Sequence, residues 1–442
     1  MDRRRSGYSG YVLAVLLLAY TLNAFDRAIL SLLLEPIRQE FAITDTQLGL
    51  LTGLGFGLFY ATLSIPVAAL ADRWSRRNVL LLSMALWTVM TCLCGLAGSF
   101  VLLLLARIGV GIGQSGNNPA SHSLIASYFP PARRATALGI VALGAPAGAM
   151  LAGLFGGWGG EMLGWRLTII LAGAPGLLLV PLLLLTVREP PAPSQAGAAT
   201  GPIPLKDTLV TLWTTPAFRH LCIACALHSL SMYAASSFNP AYLARSHGWA
   251  GSQIGYLTAL TGLAGLVGAF TGGFLTDRLR ARHGEPRWQL WIPAIATLAV
   301  VPVQLTAYLG AGGAMVIAML LSSLLSLMFF GPSYATAQAL ASPGSRAVAA
   351  ALLLFSKAIV GMGLGPLLVG AASDLLAPLA GTHSLRLGML LVPAFNVWAA
   401  LHFIRAARHL TAGGASPDPP VASDGSDSRP GTATMLSVRS PA

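Results

Sequence analysis

Asp26 and Arg27 are adjacent ionisable residues inside an apolar stretch that runs from Tyr11 to about Leu34. A stretch of this length can span a membrane as a helix. Burying a carboxylate or a guanidinium group in hydrocarbon costs about 3 kcal/mol or more, so ionisable residues within spans generally mark a functional site. The pair therefore predicts a site that handles a proton or a charged solute. The alternative is an ion pair with a purely structural role.

Two more cations lie within later apolar stretches. Counted from the outer ends of their spans at about 1.5 Å per helical residue, Asp26 and Arg107 lie at matching depths in the membrane. Lys357 lies near the middle of its span. With Arg27 and Arg107 it gives three cations to one anion, which favours an anionic substrate such as a carboxylate or a phosphate. Alternatively, Lys357 bonds to backbone carbonyls or reaches toward the membrane interface.

The composition is that of an integral membrane protein. Of 442 residues, 55% are hydrophobic and only 10% are charged, which leaves too little polar surface for a water-soluble globule. The four cysteines indicate small buried thiols, and we expect neither a metal nor a cofactor. Stretches of about 20 apolar residues, the length of a membrane-spanning helix, recur at 12–35, 48–71, 78–97, 100–126, 133–155, 165–186, 218–243, 252–275, 288–309, 313–336, 346–372 and 384–406.

Lys and Arg residues indicate the orientation, because they are retained on the cytoplasmic side. Most of them fall on cytoplasmic segments if both termini lie inside. The sequence therefore predicts a multi-pass protein of the bacterial inner membrane with cytoplasmic termini. The net charge of +12 is explained by this topology, and we do not expect nucleic-acid binding.

A repeat divides the chain into two halves. Leu70-Ala-Asp72-Arg73 closes the second stretch, and Leu275-Thr-Asp277-Arg278 closes the eighth. Such duplication is typical of secondary transporters with a substrate site between the halves. The prediction is an N-terminal six-helix half over 1–186, a cytoplasmic linker over 187–216, a C-terminal six-helix half over 217–406 and a disordered tail over 407–442.

Two motifs resemble those of the major facilitator superfamily. The segment from Pro66 to Arg77 resembles the conserved loop between helices two and three, and the segment from Arg107 to Gln114 resembles the helix-four motif. The resemblance covers nearly the whole chain outside the tail. It implies an all-α membrane protein of twelve transmembrane helices and alternating access. In that fold helices one and four line the central cavity, so the resemblance also implies a contact between Asp26 and Arg107.

Within the superfamily, the segments 22–27, 47–51, 59–66 and 121–130 resemble the Spinster-like branch, which includes lysophospholipid and sphingolipid-phosphate transporters. The resemblance implies that Asp26, Arg27 and Arg107 form the proton and substrate site together with an acid two turns below Arg107. That last position holds Gln114, which cannot titrate. Proton coupling through Asp26 alone, facilitated diffusion and exchange remain open, and Gln114 could simply pack between helices. Gly144, Pro146 and Gly148 resemble a degenerate antiporter motif, which close helix packing explains equally well.

Charged residues at the predicted cytoplasmic ends are expected to form a gate. Asp72 can pair with basic residues and a helix N-terminus in one conformation and release them in the other. The alternative is that the basic residues only set the topology. The expected gate residues are Asp72, Arg73, Arg76, Arg77, Arg133, Asp277 and Arg278.

The sequence thus predicts a monomeric transporter that contacts membrane lipids and moves an amphipathic or organic anion, such as a lysolipid. Protons are a candidate second substrate. A small organic acid transporter and a multidrug efflux permease are alternatives, and a non-transporting receptor is an alternative from another class. An enzyme is not expected. The two lysines, Lys206 and Lys357, are followed by Asp and Ala, so the chain lacks the Gly-Lys-Ser/Thr loop that cradles ATP phosphates.

Overall fold

A computed structural model describes residues 3–190, 205–342 and 345–410. Within these ranges the chain is helical, and no strand is present. The predicted linker is partly helical, because residues 205–214 form a helix, and its segment 191–204 lies outside the described residues. The predicted tail lies outside them from residue 411 onward.

The first half comprises ten α-helices and one π-helical stretch that form six spans. They are α1 (Arg3–Leu32), α2 (Leu34–Phe41), α3 (Asp45–Gly49), the π-helix Leu50–Leu54, α4 (Gly55–Arg73), α5 (Arg76–Leu96), α6 (Phe100–Gln114), α7 (Asn117–Tyr128), α8 (Pro131–Ala142), α9 (Gly144–Met162) and α10 (Gly164–Thr186).

The linker helix and the second half follow in the same manner. They are α11 (Leu205–Thr214), α12 (Pro216–His247), α13 (Gly251–His283), α14 (Trp288–Leu309), α15 (Gly312–Leu327), α16 (Phe330–Ala339), α17 (Arg346–Ser356), the π-helix Lys357–Leu364, α18 (Gly365–Ala380), the 3-10 turn Gly381–His383, α19 (Ser384–Gly388) and α20 (Leu391–His409).

Eleven stretches of the described chain are long and apolar enough to cross a membrane. The twelfth predicted span is present as α19 and α20, but α20 carries Asn396, His402 and Arg405, which lower its hydropathy. It packs against α12 and α14 inside the second half. The eleventh span continues through α18 to Ala380, beyond the predicted end at residue 372, because small and apolar residues extend the helix there.

The two halves contact each other mainly along two pairs of spans, and α1 also contacts α12. The second span contacts the eleventh, and α9 contacts α13. Both contacts depend on glycine: a Cβ atom on Gly53 would lie 2.6 Å from the Gly363 carbonyl oxygen, and one on Gly153 would lie 2.6 Å from that of Gly255. Such close backbone approach between helices needs residues without side chains. These glycine contacts therefore allow the helices of the two halves to pack closely against each other.

We call the membrane face that carries residues 187–190 and α11 the linker side, and the face that carries α2 the far side. Tyr8 donates a hydrogen bond to the Thr186 carbonyl at 2.8 Å, and Arg287 donates one to the Leu410 carbonyl at 3.1 Å. Both described ends of the chain therefore lie on the linker side.

Candidate substrate and coupling site

Asp26 lies in the interior of the first half and is 3% exposed. Its Oδ2 atom accepts a hydrogen bond from the Thr91 hydroxyl at 2.8 Å and one from the Gln114 amide at 2.9 Å. Its Oδ1 atom is buried without a hydrogen-bond partner. Asp26 and Gln114 are therefore in direct contact, and the carboxylate keeps one free oxygen for a further proton donor.

Arg107 lies beside Asp26, but the two side chains form no ion pair. The ion pairs among the described residues do not include these two side chains. Both instead line one small cavity of about 10 Å³, together with Thr91 and Cys94. The Arg107 guanidinium carbon lies 5.0 Å from the centre of the Phe56 ring, and its Nε atom is buried without a partner. The Asp26 carboxylate is thus bound by hydrogen bonds from Thr91 and Gln114 and not by Arg107.

Arg27 is oriented differently from its neighbour Asp26. Its guanidinium carbon lies 5.8 Å from the centre of the Tyr60 ring. The hydroxyl groups of Tyr20 and Tyr233 also lie within electrostatic range of it. Tyr20 and Tyr60 belong to the first half and Tyr233 to the second, so Arg27 lies where the two halves face each other. We call these three side chains the central tyrosines.

Lys357 is buried in the second half among aromatic rings. Its Nζ atom lies 5.0 Å from the centre of Phe329, 4.6 Å from that of Phe330 and 5.1 Å from that of Tyr334. The interpretation that it reaches toward the interface is not supported, since the residue is only 7% exposed. The three cations therefore have different surroundings: Arg107 lies beside Asp26 and Phe56, Arg27 beside Tyr60, and Lys357 among the aromatic rings of the second half.

A buried polar network in the second half accounts for several polar residues of α12. His228 hydrogen-bonds to Asn396 at 2.8 Å and to the Ser326 carbonyl at 2.7 Å. Asn396 donates to Ser231 at 2.7 Å and to Gln304 at 2.8 Å. Because its members satisfy one another, this network is a helix-to-helix connection within the half.

A cluster of charged residues on the far side joins the two halves, and sequence reasoning missed it. Arg245 of α12 forms an ion pair with Glu35 of α2 at 2.5 Å and another with Asp45 of α3 at 2.8 Å. Ser373 of α18 donates a hydrogen bond to Asp45 at 2.6 Å. We call Glu35, Asp45, Arg245, Ser373 and Asp374 the far-side gate.

Asp374 completes the far-side gate by capping a helix of the other half. Its carboxylate accepts hydrogen bonds from the backbone N–H groups of Asp45 at 3.0 Å and Thr46 at 2.7 Å, and from the Thr46 hydroxyl at 2.5 Å. These N–H groups belong to the first turn of α3, where no intrahelical partner exists for them. A carboxylate is favoured at this end of a helix.

The electrostatics of Glu35 reflect the closed gate. Burial opposes ionisation of this carboxyl, but the neighbouring guanidinium groups of Arg245 and Arg38 outweigh it and lower the pKa of Glu35 below its ordinary value. Glu40 at the end of α2 behaves similarly, because hydrogen bonds from Arg166 and Trp165 lower its pKa. Glu35 is therefore ionised while the halves are joined on this side.

The predicted linker-side gate residues make no described hydrogen bond between the halves. Arg76 donates to Ser127 at 2.8 Å, and the backbone N–H groups of Arg76 and Arg77 donate to the Glu189 carboxylate at 3.2 and 2.8 Å. The Asp72 side chain lies outside the described residues. The remaining predicted gate residues are exposed: Arg73, Arg133, Asp277 and Arg278.

All described hydrogen bonds and ion pairs between the halves thus lie in the far-side gate. In the described part of the chain, polar contacts close the far side, and the linker side has none between the halves. Gly144 and Gly148, the degenerate motif of the fifth span, lie against the backbone of α1, as close helix packing requires.

Comparisons with known proteins agree on one family. The family model described as Major Facilitator Superfamily matches residues 16–366. An "MFS-type efflux pump" of Mycolicibacterium smegmatis is 34% identical over 416 residues, which cover 92% of this chain and 95% of that protein. A "Hexuronate transporter" of Bacillus subtilis is 26% identical over 281 residues, which cover 60% of this chain and 64% of that protein.

A solved structure is also similar over nearly its whole length. It is that of a bacterial homologue of the human lysosomal transporter Spinster in an inward-facing, unoccupied conformation. The two chains share 31% identity and superpose with a TM-score of 0.81, with 91% of this chain and 97% of that chain covered.

Proposed function

Because this chain belongs to the major facilitator superfamily, a family of membrane transporters and not of enzymes, we propose that it moves an amphipathic or organic anion by alternating access. The membrane is the bacterial inner membrane, the linker side faces the cytoplasm, and the Spinster-like relationship makes a lysolipid-like anion the first candidate. Protons are the proposed coupling ions, with Asp26 as their acceptor.

The observation that carries this proposal is the state of the buried charges. Arg27, Arg107 and Lys357 lie within spans, and none of them forms an ion pair among the described residues. Asp26, which lies beside Arg107, is hydrogen-bonded to an amide and a hydroxyl instead. Cations within a membrane span that lack an ion-pair partner are costly, and an anionic ligand would supply that partner. The interior is therefore suited to an anion.

The geometry supports separate places for substrate and proton. The cavity between Asp26 and Arg107 has a volume of about 10 Å³, which suits about one water molecule and is too small for an organic anion. Arg27, by contrast, lies among the central tyrosines where the halves meet. We place the anionic group of the substrate at Arg27 and proton uptake at Asp26.

The far-side gate supports the alternating-access part of the proposal. Glycine contacts, two ion pairs and the Asp374 cap hold the halves together on one side. Opening that side requires these contacts to break while the linker-side residues Asp72, Arg73, Arg133, Asp277 and Arg278 come together. Rigid-body rocking of two halves exchanges contacts in this way.

A small organic acid is the second candidate substrate. The similarity to a hexuronate transporter favours it, and Arg27 would bind a carboxylate as well as a phosphate. The similarity to an efflux pump supports export as the direction of transport. Both candidates share the anionic group and differ in the rest of the molecule, which is an acyl chain in a lysolipid and a polar, hydroxyl-bearing chain in a sugar acid.

Flux measurements in liposomes test the proposal. Purified protein is reconstituted, and the uptake of radiolabelled anionic lysophospholipid and of radiolabelled glucuronate is followed with and without a pH gradient. We expect one of the two anions to accumulate, and we expect Asp26→Asn to abolish the pH-driven part while exchange at equal pH persists. Binding of either anion without flux would instead identify a receptor, and pH-driven flux in Asp26→Asn would exclude Asp26 as the coupling residue.

A further inference from the structure

The aromatic rings around Lys357 form a cage of a kind that recognises cations. The Nζ atom lies 4.6 to 5.1 Å from three ring centres, those of Phe329, Phe330 and Tyr334. The Tyr334 hydroxyl lies 3.5 Å from Nζ. A cation within about 6 Å of a ring centre is attracted by the negative face of the ring, and the attraction is strongest where water is excluded. We call these three rings the aromatic cage.

Two irregular segments bring the cage and the lysine together. Phe329, Phe330 and Tyr334 lie at and just after the break between α15 and α16. Lys357 opens the π-helical stretch of the eleventh span. Single turns of π-helix occur frequently at functional sites because they redirect a side chain relative to a regular helix. Both irregular segments therefore contain residues that take part in the contact between Lys357 and the aromatic cage.

The cage lies next to the proposed substrate cavity. Tyr334 is half-buried, and the π-helical stretch that begins at Lys357 contacts α4 of the first half, which carries Tyr60. The cage therefore lies beside the contact between the two halves. Phe330, at 45% exposed, leaves a second side of the cage accessible.

We propose that the aromatic cage is a binding site for quaternary ammonium groups that Lys357 occupies with its own ammonium, so that Lys357 sets the charge preference of the cavity. While the ammonium remains in the cage, an organic cation meets both an occupied site and a like charge. Removing that charge leaves three rings that attract an external cation. The inference rests on the proposed function only in taking the space between the halves as the substrate cavity.

Lys357→Met tests this proposal, because methionine retains the length of the side chain and removes the charge. Thermal unfolding of the purified full-length protein is measured with choline and with 3,3-dimethylbutan-1-ol, a neutral isostere of choline. We expect choline to raise the unfolding temperature of Lys357→Met in a saturable manner, the isostere to have no such effect, and neither compound to stabilise the unaltered protein.

Two further variants keep the test decisive. Lys357→Met with Tyr334→Leu removes one wall of the cage and should lose the choline effect, and Lys357→Leu replaces the first variant if Lys357→Met does not fold. No stabilisation of either folded lysine variant by choline, or equal stabilisation by the neutral isostere, would overturn the proposal. Stabilisation of the unaltered protein by choline would also overturn it. The outcome does not depend on whether an anion is transported, since choline binding is measured by itself.

Discussion

Gln114 donates a hydrogen bond to Asp26 at 2.9 Å, so an amide occupies the position where the Spinster-like pattern has an acid. The amide satisfies the same carboxylate oxygen as Thr91 and leaves the other oxygen free. Asp26 is therefore the one acid in the described part of this site. Substitutions of Gln114 can show what the amide contributes to it.

Replacing Gln114 separates its structural and functional contributions. Gln114→Leu removes one of two hydrogen bonds to a buried carboxylate, which should destabilise the protein by about 1–3 kcal/mol and lower the unfolding temperature. Gln114→Glu adds a second titratable group beside Asp26, and coupled carboxylates titrate in two steps. The pH profile of flux should then gain a second step, and an unchanged profile would show that position 114 does not take part in coupling.

Arg245 is expected to hold the far side closed. Arg245→Ala leaves the Asp45 carboxylate without a cation and the Glu35 carboxylate with Arg38 alone. For these partly buried ion pairs the loss should be about 2 kcal/mol. The population should shift toward an open far side. Spin labels on Met162→Cys and Leu379→Cys, exposed positions at the far-side ends of α9 and α18, measure this opening.

Arg245→Lys is the matched control for that variant. It retains the charge, but a lysine cannot bridge two carboxylates with a planar fork, so an intermediate distance distribution is expected. Unchanged label distances in Arg245→Ala would contradict a gating role for this ion-pair cluster.

The far-side gate should weaken on acidification. The pKa of Glu35 lies below its ordinary value when the gate is closed, so ionised Glu35 favours the closed state at pH values above the ordinary carboxylate pKa. This contribution is lost as the pH falls through the lowered pKa. The same spin-label distances, measured across this acidic range, should lengthen, and Glu35→Gln should remove that part of the pH dependence. Identical pH profiles for the two proteins would exclude Glu35 as the titrating group.

The glycine contact between α9 and α13 gives a further prediction. In Gly153→Val the side chain would meet the Gly255 backbone, since even a Cβ atom would lie 2.6 Å from its carbonyl oxygen. Overpacking of this kind costs about 1–3 kcal/mol, and the far side should open in the spin-label assay. Gly139→Val is the matched control, because a Cβ atom there meets nothing within 4 Å. Equal effects of the two substitutions would contradict the packing argument.

The sequence predicted the parts of this molecule that follow from local pattern. Apolar stretches predicted the spans, and the motif at Arg107 to Gln114 led to the residues around Asp26. The far-side gate escaped prediction because Arg245 and Glu35 are 210 positions apart and lie among other polar residues near span ends. The gate residues are brought together by the tertiary packing of four helices, α2, α3, α12 and α18.

The aromatic cage escaped prediction for a different reason. Phe329 and Phe330 are ordinary apolar residues of a span, and sequence alone does not tell which ring faces a charge. A signal was present nevertheless, because Lys357 lies in a span with no acid close to it in sequence. Arg107 lines the same small cavity as Asp26 without forming an ion pair with it. Depth along a helix predicts the height of a residue but not the direction of its side chain, and Gln114 donates the hydrogen bond to the carboxylate.

Ligand-induced thermal stabilisation tests the central claim most directly. The unaltered protein and Arg27→Ala are unfolded in the presence of anionic lysophospholipid, glucuronate and a cationic dye, because a ligand present at about 100 times its dissociation constant adds roughly 2.7 kcal/mol to the folded state. We predict stabilisation by one of the anions, lost in Arg27→Ala. Stabilisation by the cation alone, or by an anion equally in both proteins, would contradict an anion site at Arg27.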